Sequence, residues 1–181
     1  MTREEKIQQL LNKYSNEKQT NSVLEFSLVH KGEPKPYSRP RFTRFGRGGR
    51  GHCYNIRENY MNELKDDFLE SMNIDHIAKI NELINKHIEY YVYVSGKFFI
   101  PIPKSDSIDT TAKKIAGIIR PTVKRGDVDN YMKLILDVLH DVVYDDDKNV
   151  IGITAEKYYS TEPRIELNIR IEYKEAETDN G

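Results

Sequence analysis

The sequence predicts a two-layer α+β domain, with helices packed on a mixed β-sheet and a short N-terminal helix ahead of it. Three observations carry that expectation. Residues 164–173 alternate strictly, Ile165, Leu167, Ile169, Ile171 and Tyr173 against Arg164, Glu166, Asn168, Arg170 and Glu172, which is the period of a strand with one buried face. Residues 128–142 place Val128, Tyr131, Met132, Ile135, Val138, Leu139 and Val142 on one helical stripe and Asp129, Lys133, Asp137 and Asp141 on the opposite one. The patterns then run helix, strand, helix, strand, helix, strand, strand, an order that layers helices on a sheet.

Element by element, Thr2-Arg3-Glu4-Glu5 forms a capping-box pattern ahead of Ile7, Leu10, Leu11 and Tyr14 at helical spacing. Residues 22–30 read as a strand ended by Gly32, Pro34 and Pro36. Residues 32–54 are a basic, glycine-rich loop with too little apolar content to order itself. Asn55-Ile56-Arg57-Glu58 opens a second helix over 56–72, and Ile77, Ile80, Leu83 and Ile84 mark a further helical stretch. Residues 89–102 read as a strand with Gly96 as a bulge, closed by Pro101 and Pro103. Residues 104–126 read as a mobile basic loop, and 149–159 with 164–173 as a hairpin across Ser160-Thr161-Glu162-Pro163. The domain division expected is a helical extension over 1–20, one domain over 21–175 and a frayed acidic tail over 176–181.

Composition excludes several classes. The 181 residues suffice for one core, and no apolar run approaches the ~20 residues a membrane span requires. The charged N-terminus is not a secretory signal, so a cytoplasmic location is expected. Cys53 has no partner for a disulfide, and with His52 lacks further ligands at zinc spacing. The net charge of −1 conceals strong segregation: residues 31–57 carry eight Lys or Arg against one acid, while 127–147 carry seven aspartates against Lys133. The first stretch can grip a polyanion, and the second repels one unless cations sit there.

The chemistry concentrates in Gly126-Asp127-Val128-Asp129-Asn130, with Lys133 following, and in Tyr144-Asp145-Asp146-Asp147. Two carboxylates at a loop-to-helix junction can share a cation, and magnesium needs only one or two carboxylates when substrate phosphates complete its shell. Lys133, one turn beyond Asp129, can neutralise charge on phosphorus. The ordinary readings stay open beside this one: an aspartate N-cap, an i,i+4 ladder through Asp129, Lys133 and Asp137, and a solvated aspartate turn. A D-x-D pair alone is also shared with nucleotide-sugar transferases, but no glycine-rich phosphate loop follows a strand here.

In order and spacing, Phe99-Ile100-Pro101-Ile102-Pro103-Lys104-Ser105, then Asp127-Val128-Asp129-Asn130-Tyr131-Met132-Lys133, Asp137, and Val142 through Val150 resemble the RusA family of Holliday-junction resolvases. Lys35 through Phe42 is similar to that family's arginine-rich segment after the first strand, and the likeness extends from about residue 23 to 173. The resemblance implies a homodimeric, magnesium-dependent endodeoxyribonuclease, with manganese as a substitute, that nicks branched DNA such as four-way junctions and serves recombination and repair in bacteria or phages. It places the metal-site aspartates on Asp127, Asp129 and Asp147 and the catalytic lysine on Lys133, with Asn130 and Asp146 as supporting residues. The chain departs from the family in its N-terminal helix, in roughly 15 additional residues around 73–88 and in Gly126.

The arginine density, with Phe42 and Phe45 interleaved, favours DNA contact by Lys35, Arg39, Arg41 and Arg44, and Lys124 and Arg125 extend the basic surface. The rival class is a non-catalytic protein that binds branched or single-stranded DNA. A helix over 128–141 is about 20 Å long, so Asp147 lies past its far end. Either residues 142–147 fold back along the helix, or Asp147 serves the Asp127/Asp129 pair of a partner subunit.

Overall fold

The computed structural model describes residues 1–16, 22–37, 41–43, 52–54, 58–122, 126–140 and 142–174, with backbone alone at 15–16, 41–43 and 52–54. Arg39, Arg44, Lys124, Arg125, Asp141, the start of the 55–58 capping box and the acidic tail lie outside the described residues, as does the side chain of Arg41. The elements are α1 (Arg3–Asn16), β1 (Ser22–Lys31), β2 (Arg41–Thr43), β3 (His52–Tyr54), α2 (Glu58–Ser71), α3 (Ile74–Asn85), β4 (Tyr90–Pro101), α4 (Ile108–Ile115), α5 (Val128–Leu139), β5 (Val150–Ser160) and β6 (Arg164–Tyr173), with a 3-10 turn at Asp147–Asn149.

The expected α+β architecture is present. A mixed four-stranded sheet runs β1-β6-β4-β5, with β4 and β5 parallel and the other neighbours antiparallel. Ile165, Leu167, Ile169 and Ile171 of β6 are all buried, together with Phe26 and Leu28 of β1 and Val92, Val94, Phe98 and Ile100 of β4. Each such side chain contributes about 1.5–3 kcal/mol by leaving water. Helices α2 and α5 pack on this face, α2 against β1 and α5 against β5 and α2. The capping box of α1 forms as expected, Thr2 and Glu5 exchanging backbone-to-side-chain bonds of 2.9 and 3.2 Å.

Four expectations fail. The β5–β6 hairpin does not form, because β4 inserts between those strands. With its inner face fully buried, β6 takes a neighbour on each edge, and the connection passes over the end of β4. There the Arg164 guanidinium stacks 3.6 Å from the Phe99 ring centre and donates to Ser160 Oγ at 3.3 Å. Gly96 is no bulge: it pairs regularly with Ala155 and Leu167, and the irregularity falls at Val92/Tyr93, where Ile151 is the extra residue on β5. Gly96 instead makes room for α5, since a Cβ there would stand 3.0 Å from Met132 Cε.

The 104–126 stretch is not simply a loop, for it contains α4. Ser107 caps that helix by accepting from the Thr110 amide. Gly117, at φ 73°, closes it by donating to the Lys114 carbonyl while Ile118 donates to that of Lys113, the Schellman pattern. Within the basic 32–54 segment, β2 and β3 pair antiparallel; ladder hydrogen bonds order this ribbon where apolar burial could not.

Candidate active site

The first turn of α5 is built from Gly126 onward. Gly126 sits at φ 134°, and a Cβ there would come within 2.7 Å of Pro36 Cβ and 3.0 Å of the Tyr131 ring. Only glycine fits both the backbone and the space. Asp127 is the N-cap residue: its carbonyl accepts from the Asn130 and Tyr131 amides, while its side chain makes no capping bond. Its carboxylate therefore stands exposed at the positive end of the helix dipole, as does that of Asp129 in the first turn. Lys133 and Asp137 continue the exposed stripe. Among the described residues Lys133 forms no ion pair with Asp129 or Asp137, so the simple i,i+4 ladder is not what this face makes.

The approach to the arginine-rich segment is docked on the same turn. Pro36 packs on Gly126, the Tyr37 amide donates to the Asn130 carbonyl at 2.8 Å, and the Lys133 ammonium lies 4.6 Å from the Tyr37 ring centre. One step earlier, the Lys35 ammonium lies 4.4 Å from the Tyr60 ring centre, and its backbone N–H donates to the Tyr60 hydroxyl at 3.3 Å. Lys157 donates to the Gly126 carbonyl at 3.0 Å, bracing this turn from β5. The start of the basic segment thus packs beside the D-x-D-N-x-x-K helix.

The far end of α5 turns back on itself. The Val142 and Val143 amides donate to the Leu139 carbonyl, and the buried Tyr144 hydroxyl donates to the Leu136 carbonyl at 2.8 Å. Residues 145–147 are thereby carried back along the helix. Asp147 lines a cavity of about 280 Å³ with Lys133, Leu136, Asp137, Tyr144, Val150 and Ile153.

Of the expected site residues, the fold brings Asp147 and Lys133 together within one chain. Asp127 and Asp129 do not line that cavity, and the described residues contain no ready-made cluster of three metal-binding side chains. Asp146 caps the 3-10 turn by accepting from the Lys148 amide at 3.0 Å and pairs with the Lys148 ammonium at 2.8 Å. Asn130 contributes its carbonyl to Tyr37.

Asp137, on the polar stripe of α5 and within the residues that carry the resemblance, lines the same cavity. Partial desolvation raises its carboxyl pKa, the nearby Asp147 charge adds to this, and Lys133 and His140 oppose it. Burial also raises the Tyr144 phenol, reinforced by Asp147 and Asp137. Two signals in the sequence point to Asp137, its place in the family resemblance and its i+4 step from Lys133, and the second is indistinguishable from an ordinary helical pair.

The class these observations define is a two-layer α+β protein with an acidic, lysine-bearing helix face opposite a returning aspartate loop. The chain matches the family model described as Endodeoxyribonuclease RusA over residues 31–170, and it belongs to that family. It is also similar to the "Uncharacterized protein YqaN" of Bacillus subtilis (strain 168), 45% identical over 81 residues, which are 44% of this chain and 56% of that protein. The chain thus spans about half the length of the curated relative it matches. No helix among the described residues is long and apolar enough to cross a membrane.

Proposed function

We propose that this chain is a divalent-metal-dependent endodeoxyribonuclease that nicks branched DNA, four-way junctions foremost, as a homodimer. It would act in recombination and repair in the cytoplasm of a bacterial or phage-infected cell. The observation that carries the reading is the return of Asp147 to the Lys133 face of α5 within one subunit, in a member of a nuclease family.

Magnesium, or manganese in its place, fits the donor set. Asp127 offers a carboxylate not spent on capping, Asp129 is exposed one residue pair on, and Asp147 faces the same helix from the returning loop. A hard cation that keeps several waters needs only one or two of these before DNA phosphates complete its shell. When bound, the ion supplies a nucleophilic hydroxide at neutral pH and stabilises the leaving oxygen. Lys133 contributes a positive charge beside the scissile phosphate. Arg39, Arg41 and Arg44, with Lys35, Lys124 and Arg125, grip the flanking backbone, and the docking of Pro36 and Tyr37 on α5 ties that grip to the reacting face.

The test is a nicking assay on a mobile four-way junction, a flap and a linear duplex, with magnesium and with a chelator, for the wild type and Asp127→Asn, Asp129→Asn and Asp147→Asn. Magnesium-dependent paired nicks in the junction, lost by about 1000-fold or more in each variant, are expected. Tight junction binding with no cutting in any metal would instead make this a non-catalytic DNA-binding protein.

A further inference from the structure

The three consecutive aspartates before β5 are not equivalent. Asp145 is held by β4: the Tyr90 hydroxyl donates to Asp145 Oδ1 at 2.5 Å, and the Asp145 amide donates back to the same hydroxyl at 3.3 Å. Asn149 Nδ2 donates to the same carboxylate oxygen at 3.4 Å. Asp146 caps the 3-10 turn, and Asp147 lines the cavity shared with Lys133 and Asp137.

The returning loop is packed as far as Tyr144, which is fully buried, whereas Asp145 and Asp147 beyond it are exposed. A second cavity, of about 460 Å³, is lined in part by Tyr90, Asp145, Asp146 and Lys148. With little packing beyond Tyr144, directed hydrogen bonds must set the position of the aspartates. Two adjacent residues supply them in opposite directions, Tyr144 to the Leu136 carbonyl of α5 and Asp145 to Tyr90 of β4. Tyr90 is 5% exposed, so its ring is fixed by the core and its bond to a carboxylate is of the strong, charge-assisted kind. Burial, with the Asp145 bond adding to it, pushes the phenol up to about 12, and it remains a donor through neutral pH.

We propose that Tyr90 and Asp145 form a clamp that positions Asp147 for the nuclease reaction, Tyr90 acting as a positioning residue on β4 and Asp145 as its anchor rather than as a metal ligand. The clamp rests on the proposed nuclease reading for its consequence but not for its existence. It assigns the aspartate triplet three separate tasks: anchor, cap and chemistry.

The test compares Tyr90→Phe, Asp145→Asn, their double variant and Tyr91→Phe, the last removing a neighbouring exposed hydroxyl that bonds Glu89. Two readouts are taken on the full chain: single-turnover nicking of a four-way junction across DNA concentrations, and amide hydrogen exchange of residues 145–149 without metal, normalised to the β6 core amides. Tyr90→Phe and Asp145→Asn are expected to lower the single-turnover rate at saturating DNA about tenfold at an unchanged half-saturating DNA concentration. Both should speed exchange over 145–149 alone, the double variant should be no worse than either single one, and Tyr91→Phe should match wild type. Unchanged exchange in Tyr90→Phe, an unchanged rate at saturating DNA, or a loss expressed only in the half-saturating DNA concentration overturns the clamp. If the wild type cuts no junction in any metal, the nuclease reading fails, and exchange alone decides whether Tyr90 holds the loop.

Discussion

The Lys133 ammonium lies 4.6 Å from the centre of the Tyr37 ring, so the proposed catalytic cation and the root of the arginine-rich segment touch. A cation over an aromatic face gains about 0.5–2 kcal/mol, enough to bias a long flexible side chain toward one placement. Tyr37→Phe keeps the face and is expected to nick a four-way junction within about twofold of wild type, whereas Tyr37→Leu should lose about tenfold in the single-turnover rate at saturating DNA. Equal rates for the Leu variant and wild type would mean that the ring does not place Lys133.

Gly126 makes the contact between that segment and α5 possible. A methyl group there meets Pro36 at 2.7 Å on a backbone at φ 134°, so Gly126→Ala should cost about 1–3 kcal/mol in urea unfolding. Part of that cost is the clash with Pro36, and Pro36→Ala should recover some of it in the double variant. Fully additive losses would show the strain to lie in the backbone alone.

How far the sequence already disclosed this arrangement depends on whether a residue's role is local. Strands β1 and β6 and helix α5 were legible because their burial follows period 2 and 3.6, and the Thr2/Glu5 box because it is complete within four residues. Helix α4 was obscured by its lysines, although Ser107 and Gly117 marked both ends. The order β1-β6-β4-β5 was not legible, since the alternation in β6 says which face is buried but not which strands flank it. For the candidate site, spacing and resemblance name Asp127, Asp129, Lys133 and Asp147, of which the fold brings Lys133 and Asp147 to one cavity. The Tyr37 and Tyr90 contacts could not be read in this way, because both bridge residues more than 50 apart and nothing around either tyrosine names its partner.

Asp137 carries a stability cost that its Asn variant should remove. Its carboxyl pKa is raised in the folded chain, by desolvation first and by Asp147 second, so the folded state holds the proton more tightly than the unfolded one. Below the ordinary carboxylate range both states are protonated and the group contributes nothing. As pH rises through that range the unfolded chain ionises first, and stability is lost until the folded pKa is passed. Because the residue is mostly exposed, solvent screening keeps the effect small. Asp137→Asn should therefore raise Tm at neutral pH by about 1–2 °C, a gain that disappears below about pH 4, while nicking falls. A Tm unchanged at neutral pH would place the carboxylate in full contact with water.

The return of residues 142–147 along α5 within one chain favours the first of the two routes open to Asp147. In a dimer of one Asp127→Asn and one Asp147→Asn subunit, each site then lacks one carboxylate, and nicking should stay at the level of the single variants. Recovery of a substantial part of wild-type activity would require Asp147 to serve the partner subunit, and would mean that the fold-back seen here rearranges on dimerisation.

The arginine-rich segment should reveal itself in salt dependence. Each phosphate neutralised on duplex DNA contributes about 0.9 to the slope of log K against log salt, so Arg39→Ala/Arg41→Ala should flatten that slope by about 2 if both side chains meet phosphates. Because Pro36 and Tyr37 anchor the segment on α5, weaker binding should be accompanied by little change in the rate at saturating DNA, the result expected if the arginines hold the substrate while Lys133 and the aspartates act on it. An unchanged slope would move the DNA path away from this segment to the basic surface around α4, where Lys104, Lys113 and Arg120 stand. The root of the segment at Tyr37 would then serve Lys133 alone.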